Sequence, residues 1–216
     1  GHEFHDRPGR DFFERAARVL QMHPDSLAHR AYVYGFLCHF ALDTLSHDYV
    51  AEKEAASGLS HARIESELER ALMLRDGLDP ASHRPTGHLV PSEENAAVIA
   101  DFFPEVTQEQ VLDSLRGMVF YLDLLVAPSA LKRWVIFTAL RLAGQFEKLG
   151  GLVVGPDPEP RCEDSNAELL RRFDRAAELA AQLIGDFDRV VESGQAEDPI
   201  YGRTFDPKPE QEAANA

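Results

Sequence analysis

Apolar residues recur every three or four positions along almost the whole chain, which is the periodicity of amphipathic α-helices. Serine and threonine caps, together with glycine and proline breakers, divide this pattern into seven segments. The predicted helices cover residues 11–21, 26–50, 60–75, 92–103, 107–126, 129–150 and 165–192. No alternating run is long enough to predict a strand. We therefore expect an all-α fold of about six or seven helices.

The arrangement of the segments predicts one domain. Residues 79–91 and 156–160 are rich in proline and indicate surface loops, and residues 207–216 form a polar tail that we expect to be flexible. A chain of 216 residues is long enough to bury a sizeable core. We expect a single compact all-α domain over residues 1–206.

Local context predicts which side chains are buried. The apolar run Trp134–Leu140 is too short to span a bilayer, which takes about 18 residues, and it indicates a buried helix. Cys38 is expected to be a small core residue. The charges of Glu67, Glu69 and Arg70 indicate the solvated face of a helix. No stretch predicts an exposed apolar helix that would dock on lipid.

Composition restricts the classes of partner. The chain has 22 Lys and Arg against 37 Asp and Glu, a net charge of −15, which repels the phosphates of nucleic acid. We therefore expect no nucleic-acid partner. Its two cysteines cannot form a disulfide framework. The absence of a visible signal peptide or transmembrane segment favours the cytoplasm, with the residues upstream of Gly1 left open.

His39, Asp43 and His47 are the most informative residues of the sequence. They follow one another at intervals of four, so a helix places all three on one stripe. Two imidazoles and a carboxylate are a ligand set for Zn²⁺ or a similar ion. The flanking residues are strongly apolar, and burying these polar groups is costly unless something pairs with them. A hydrogen-bonded structural pair is the alternative interpretation.

His61 and Glu65 repeat the interval of four on the next predicted helix. Taken alone, such a pair is most often a solvated pair on a helix surface. Its occurrence directly after the first motif favours a metal site over a purely structural role. His2 is expected to be exposed. Four further histidines are scattered along the chain: His23, His29, His83 and His88. The last two lie in a proline-rich loop, where we expect them to be solvated.

This succession of motifs resembles the signature of the bacterial zinc-dependent phospholipase C family, whose fold is all-α. The resemblance covers residues 1–75 and is greatest for small uncharacterised members of that family. His5-Asp6, followed by Phe12-Phe13, resembles the family's first metal-binding histidine and the helix after it. The resemblance implies two or more zinc ions. It assigns one zinc to His5, His39 and Asp43, and a second to His47, His61 and Glu65.

The same resemblance implies a third zinc that shares the carboxylate of Asp43, and an aspartate general base upstream of the first histidine. No counterpart of these upstream groups precedes His5 in the printed sequence, and the interval from Asp43 to His47 is shorter than in the secreted members. Asp48 or Glu3 could position an attacking water, and the sequence leaves that choice open.

The resemblance implies a metal-dependent phosphoester hydrolase similar to zinc-dependent phospholipase C, acting on a phospholipid or a small soluble phosphoester. Closely spaced cations suit this reaction because they activate water and polarise phosphoryl oxygens. The first alternative is a non-catalytic, metal-stabilised helical domain that binds a partner. The second keeps the ligands but replaces zinc with iron or manganese for redox chemistry. The absence of paired Glu-x-x-His motifs argues against a ferritin-like version of that alternative. The oligomeric state is left open.

Overall fold

The structure, a computed structural model, describes residues 7–205. Within that range it contains eight α-helices and no strand, so the predicted all-α class is confirmed. The helices are α1 (Gly9–Met22), α2 (Leu27–Ser57), α3 (His61–Arg75), α4 (Glu93–Ala100), α5 (Gln108–Leu125), α6 (Ala130–Leu142), α7 (Phe146–Leu149) and α8 (Glu163–Ser193). Short 3₁₀ helices cover Gly150–Leu152, Pro160–Cys162 and Pro199–Gly202.

The helix predicted over residues 129–150 is interrupted, which corrects the sequence-based count. α6 ends at Leu142, and Gly144 then adopts a φ of 66°, a left-handed conformation that glycine tolerates and that commonly ends helices. The N–H of Gln145 donates to the carbonyl of Leu140 at 2.8 Å, closing the terminal turn. The chain resumes as the one-turn helix α7, so residues 7–205 contain eight α-helices instead of the expected six or seven.

α6 is not the buried helix that its apolar run predicts. None of its residues is buried, and the Trp134 side chain is 63% exposed. An uninterrupted apolar run covers every side of a helix and gives no indication of which side packs. α5 also exposes apolar side chains, against the expectation that no such helix lies at the surface. The exposed apolar residues of the two helices are Met118, Phe120, Tyr121, Leu124, Leu131, Trp134, Val135 and Leu142.

The described residues form two compact units, each with its own core. Unit 1 consists of residues 7–48, 91–113 and 171–205, and unit 2 of residues 49–90 and 114–170. The single domain over residues 1–206 stays a prediction. The proposed flexible tail, residues 207–216, lies outside the described residues.

The core of unit 1 is aromatic and anchors the first part of α2. The ring of Phe13 is completely buried and contacts Phe40, Phe187 and Tyr201 at centroid distances of 5.2, 6.0 and 5.1 Å. Gly9, at the start of α1, lies so close to Phe40 that a Cβ there would be 2.6 Å from the ring. This packing orients the stretch of α2 that carries the first metal-ligand motif.

The core of unit 2 is smaller and surrounds the start of α3. Its buried members are Val50, Leu59, Ile64, Cys162 and Leu169. Ser60 precedes α3 in an extended conformation, as expected for the residue before a helix. Gly151 packs directly on the first turn of α3, where a Cβ would lie 2.7 Å from the backbone nitrogen of Arg63. The close approach of Gly151 therefore fixes the backbone of the first turn of α3, which carries His61.

Candidate metal centre

The first motif lies on α2 in unit 1, and the helix brings its three side chains together. Nε2 of His39 lies 3.2 Å from Oδ2 of Asp43, and Nε2 of His47 lies 3.7 Å from Oδ1 of the same carboxylate. Each carboxylate oxygen therefore faces a different imidazole. A carboxylate that presents its oxygens to two separate donors has the form required to bridge two cations.

The three side chains differ in burial. Asp43 is buried and the His47 side chain is only 13% exposed, whereas the His39 side chain is 45% exposed. Aromatic neighbours fix the His39 ring, because Phe36 and Phe205 lie 5.8 and 5.7 Å from it by ring centroids. The motif therefore opens to solvent at its His39 end and is enclosed at its Asp43 end.

The apolar residues around the motif indicate a buried helix, and this expectation needs correction, as does the assignment of Cys38 to the core. Cys38 and His39 lie on an exposed part of α2, whereas Leu37 and Phe40 beside them are completely buried. The apolar residues around the motif occupy more than one side of the helix. Only one of those sides packs against the aromatic core.

The second motif lies at the start of α3 in unit 2. Nε2 of His61 is 3.1 Å from Oε1 of Glu65, and both side chains are partly exposed. The backbone N–H of His61, the first residue of the helix, donates to Oε1 of Glu54 at 3.3 Å. The pair thus has the geometry of a half-open ligand pair on a firmly positioned helix end.

Glu67 and Arg70 do not form the solvated helix face that the sequence predicts. Glu67 is 1% exposed, and its carboxylate lies 3.1 Å from Arg63 and 3.0 Å from Arg70. Arg70 is also buried. Charges placed three and four residues apart on one helix pair with each other, which allows them to leave water. This network fixes the side of α3 next to the His61 motif.

Glu69 is half-buried as well, and it lines a cavity of about 180 Å³ in unit 2. Burial raises the pKa of its carboxyl group above the usual value, an effect that Glu65 increases and His83 opposes. His83 lines the same cavity and is half-buried, which corrects its expected solvation, whereas His88 is exposed as predicted. The loop spacing of His83 gives no signal that it approaches α3.

Asp48, one of the two candidate bases, is engaged in an ion pair. Nη1 of Arg172 donates to Oδ1 of Asp48 at 2.6 Å and to the carbonyl of Leu45 at 2.6 Å. The Arg172 guanidinium thus occupies one oxygen of this carboxylate. Glu3, the other candidate, lies outside the described residues.

Part of the predicted ligand set lies outside the described residues. His2 and His5 lie outside the described residues, so the set His5, His39 and Asp43 is present here only in its last two members. The set His47, His61 and Glu65 draws on both units and remains a prediction from the sequence. His23 and His29, described above as scattered, come together with Asp101, a grouping that the sequence did not indicate.

Comparison with known proteins adds no relative. No family model matches the chain, and neither does any curated protein or solved structure. Among the helices of residues 7–205, none combines the length and the apolar character that a membrane span requires. The function is therefore inferred from the side chains that could bind a metal ion. Two imidazoles and an inward-facing carboxylate fit zinc, which takes nitrogen and oxygen ligands.

Proposed function

We propose that this chain is a metal-dependent phosphoester hydrolase whose ions are held by His5, His39 and Asp43, and by His47, His61 and Glu65. The observation that carries the proposal is the Asp43 carboxylate, whose two oxygens face His39 and His47. A buried carboxylate between two imidazoles is costly without a positive charge, and bound cations would supply that charge. Zinc is the ion that the resemblance implies.

The side chains of such a site would have different roles. Asp43 neutralises positive charge from its buried position, and the aromatic contacts of His39 hold that imidazole in one orientation. When bound, paired zinc ions polarise phosphoryl oxygens and lower the pKa of a coordinated water. The exposed end of the motif at His39 leaves room for a phosphate group to approach.

The apolar side chains exposed on α5 and α6 favour a phospholipid over a small soluble phosphoester. On α5, Met118, Tyr121 and Leu124 recur every three residues, and on α6, Trp134 and Val135 follow Leu131 by three and four residues. Each helix therefore presents an apolar stripe to solvent. Tryptophan and tyrosine suit the interface of a bilayer because each combines an apolar ring with a polar group.

Hydrolysis of a chromogenic phosphocholine ester by the zinc-loaded protein tests the enzymatic proposal. We expect turnover that requires zinc, is inhibited by inorganic phosphate, and falls at least 10²-fold in Asp43→Asn, as for loss of a transition-state contact. His88→Ala removes an exposed histidine and serves as the matched control. Zinc-independent turnover, or full activity in Asp43→Asn, would refute the assignment.

Trp134 is the only tryptophan of the chain and reports directly on the choice of substrate. Phosphatidylcholine vesicles should shift its fluorescence to shorter wavelength, and Leu131→Gln should weaken that response. Met22→Gln is the control, because Met22 is as exposed as Leu131 but lies on α1. An unchanged spectrum at high lipid would favour the soluble phosphoester instead.

A non-catalytic, metal-stabilised binding domain is the second candidate. The ion pair of Asp48 with Arg172 favours it, because that pair occupies the one candidate base within the described residues. In this case zinc would raise the melting temperature, and no phosphoester would be cleaved. Parallel measurements of melting temperature and turnover on one zinc-loaded sample separate the two candidates.

A further inference from the structure

His23, His29 and Asp101 converge on one point of unit 1, apart from the motif on α2 described above. Each residue contributes one ligand atom, and these three atoms all lie within 4.8 Å of one another. Oδ2 of Asp101 is 3.0 Å from Nε2 of His29 and 3.5 Å from Nε2 of His23. Two imidazole nitrogens therefore face a single carboxylate oxygen.

The backbone brings the two histidines together through a short turn. His23 follows α1, and its carbonyl accepts the N–H of Ser26 at 3.1 Å before α2 begins at Leu27. His29 then lies in the first turn of α2. The two rings stack with centroids 4.2 Å apart and an interplanar angle of 7°. Asp101 follows the last residue of α4 and adds the carboxylate.

One of the three ligand side chains is buried, and the other two are accessible to solvent. His29 is 6% exposed, and its ring lies 5.7 Å from the ring of Phe102, which is completely buried. The side chains of His23 and Asp101 are 41% and 47% exposed. An ion would therefore meet one rigid imidazole on the core side and two adjustable ligands on the solvent side.

Ser26 provides the outer contact that metal-binding histidines usually have. Its Oγ lies 2.6 Å from Nδ1 of His29, on the side of the ring away from Asp101. A hydrogen bond to one ring nitrogen fixes the orientation of the ring and, when Nδ1 is the donor, leaves Nε2 free as a ligand. The same arrangement directs Nε2 of His29 to the carboxylate.

We propose that His23, His29 and Asp101 bind a divalent transition-metal ion, for which zinc is the probe. Zinc–ligand bonds of about 2.0 to 2.1 Å in a tetrahedron place neighbouring ligand atoms about 3.3 Å apart. The observed separations from Asp101 lie on either side of this value. Three protein ligands leave the fourth position to water on the solvent side.

Such an ion would join the turn between α1 and α2 to the residue after α4. The proposal does not depend on the phosphoester hydrolase, because it shares no ligand with the sets on α2 and α3. The metal-free alternative is a pair of N–H donors from His23 and His29 on the Asp101 carboxylate. The two arrangements differ in whether added zinc binds at this place.

Crystals of the full chain soaked in zinc, measured on both sides of the zinc absorption edge, locate each ion. We expect an anomalous peak bounded by His23, His29 and Asp101 in the wild type. The peak should be missing in Asp101→Asn, while any zinc on α2 or α3 remains. His88→Ala should keep every peak. No wild-type peak among the three residues, or a peak that persists in Asp101→Asn, would overturn the proposal.

Titration calorimetry with zinc measures affinity in solution. Asp101→Asn and His23→Ala should each remove one class of site, and Ser26→Ala should weaken that class about tenfold through loss of the outer contact. Helical circular dichroism checks that the variants fold. Binding by the wild type only at millimolar zinc would identify an adventitious ion and overturn the proposal.

Discussion

The backbone N–H of Glu159 donates a hydrogen bond of 3.1 Å to Oε2 of Glu67, a residue 92 positions earlier in the chain. The same carboxylate is paired with Arg63 and Arg70 on α3. One buried carboxylate thus joins the helix that carries His61 to the loop before the Pro160–Cys162 turn. The second ligand pair is positioned by ionic contacts as well as by apolar packing.

Replacing Glu67 by Gln should lower the stability of the protein by about 2 to 3 kcal/mol, because it leaves two arginines without their buried partner. This loss is at or below the smallest stability cost usually found when a buried ion pair is broken, because Arg63 is partly exposed. Urea unfolding measures the loss. Glu147→Gln, at an exposed position on α7, should change stability by less than about 0.5 kcal/mol. Equal effects of the two substitutions would contradict this role of Glu67.

Gly151→Ala should destabilise the start of α3. The new Cβ would meet the backbone nitrogen of Arg63 at 2.7 Å, and a backbone atom can move away only if the helix end moves too. We expect a loss of about 1 to 3 kcal/mol, as for other overpacked sites, together with weaker zinc binding through His61. Gly155→Ala is the control, since its Cβ would have no neighbour closer than 3.8 Å. If both variants match the wild type, the close packing is unimportant.

Asp123 should make the stability of unit 2 depend on pH in acid. Hydrogen bonds from Arg84 and then Thr86 lower the pKa of its carboxyl group below 3.8. A depressed pKa stabilises the folded state above pH 3.8, and the contribution is lost as pH falls through the lower folded-state value. Asp123→Asn should therefore be less stable than the wild type at pH 7, and the difference should shrink below about pH 4.

Unfolding curves from pH 7 down to pH 3 test this dependence. Asp157→Asn, at an exposed loop position, should follow the wild-type pH profile throughout. A difference between wild type and Asp123→Asn that stays constant with pH would show that the contribution comes from packing rather than from the charge.

Local signals in the sequence predicted much of the helical structure. Thr107 and Gln110 form a capping box, with hydrogen bonds of 2.8 and 3.2 Å, and the hydroxyl of Ser129 accepts the N–H of Lys132 at the start of α6. The stripe of His39, Asp43 and His47 also followed directly from helical spacing. These features depend on residues within one or two turns of each other, which is why a sequence reveals them.

Features that depend on distant residues were missed. Asp101 lies 72 positions after His29, and Arg172 lies 124 positions after Asp48, so no spacing indicated either contact. Two partners of Glu67, Arg63 and Arg70, lie within about one helical turn of it, but no spacing indicated its third contact, which comes from Glu159, 92 positions later. The exposure of Trp134 was missed for a related reason. An apolar run predicts a helix, but whether that helix is buried depends on other parts of the chain packing against it.

Asp43 should matter more to the metal centre than Glu65. Its two oxygens face His39 and His47, so it is placed to serve two ions, whereas Glu65 is assigned to one ion and lies 3.1 Å from His61. Asp43→Asn should reduce both zinc equivalents of the centre, and Glu65→Gln should reduce one. Each lost ion removes about 2.7 kcal/mol of ligand stabilisation when free zinc is 100-fold above its dissociation constant.

Both substitutions are best compared in an Asp101→Asn background, so that zinc at His23 and His29 does not enter the count. Elemental analysis gives zinc per chain, and melting temperatures with and without zinc separate the metal's contribution from that of the apo fold. In the zinc-free form of either variant, a chelator should change the melting temperature little, because no ion is bound. Since the prediction depends on bridging by Asp43, equal losses in the two variants, or a larger loss in Glu65→Gln, would refute the bridging role and leave Asp43 as a ligand of one ion.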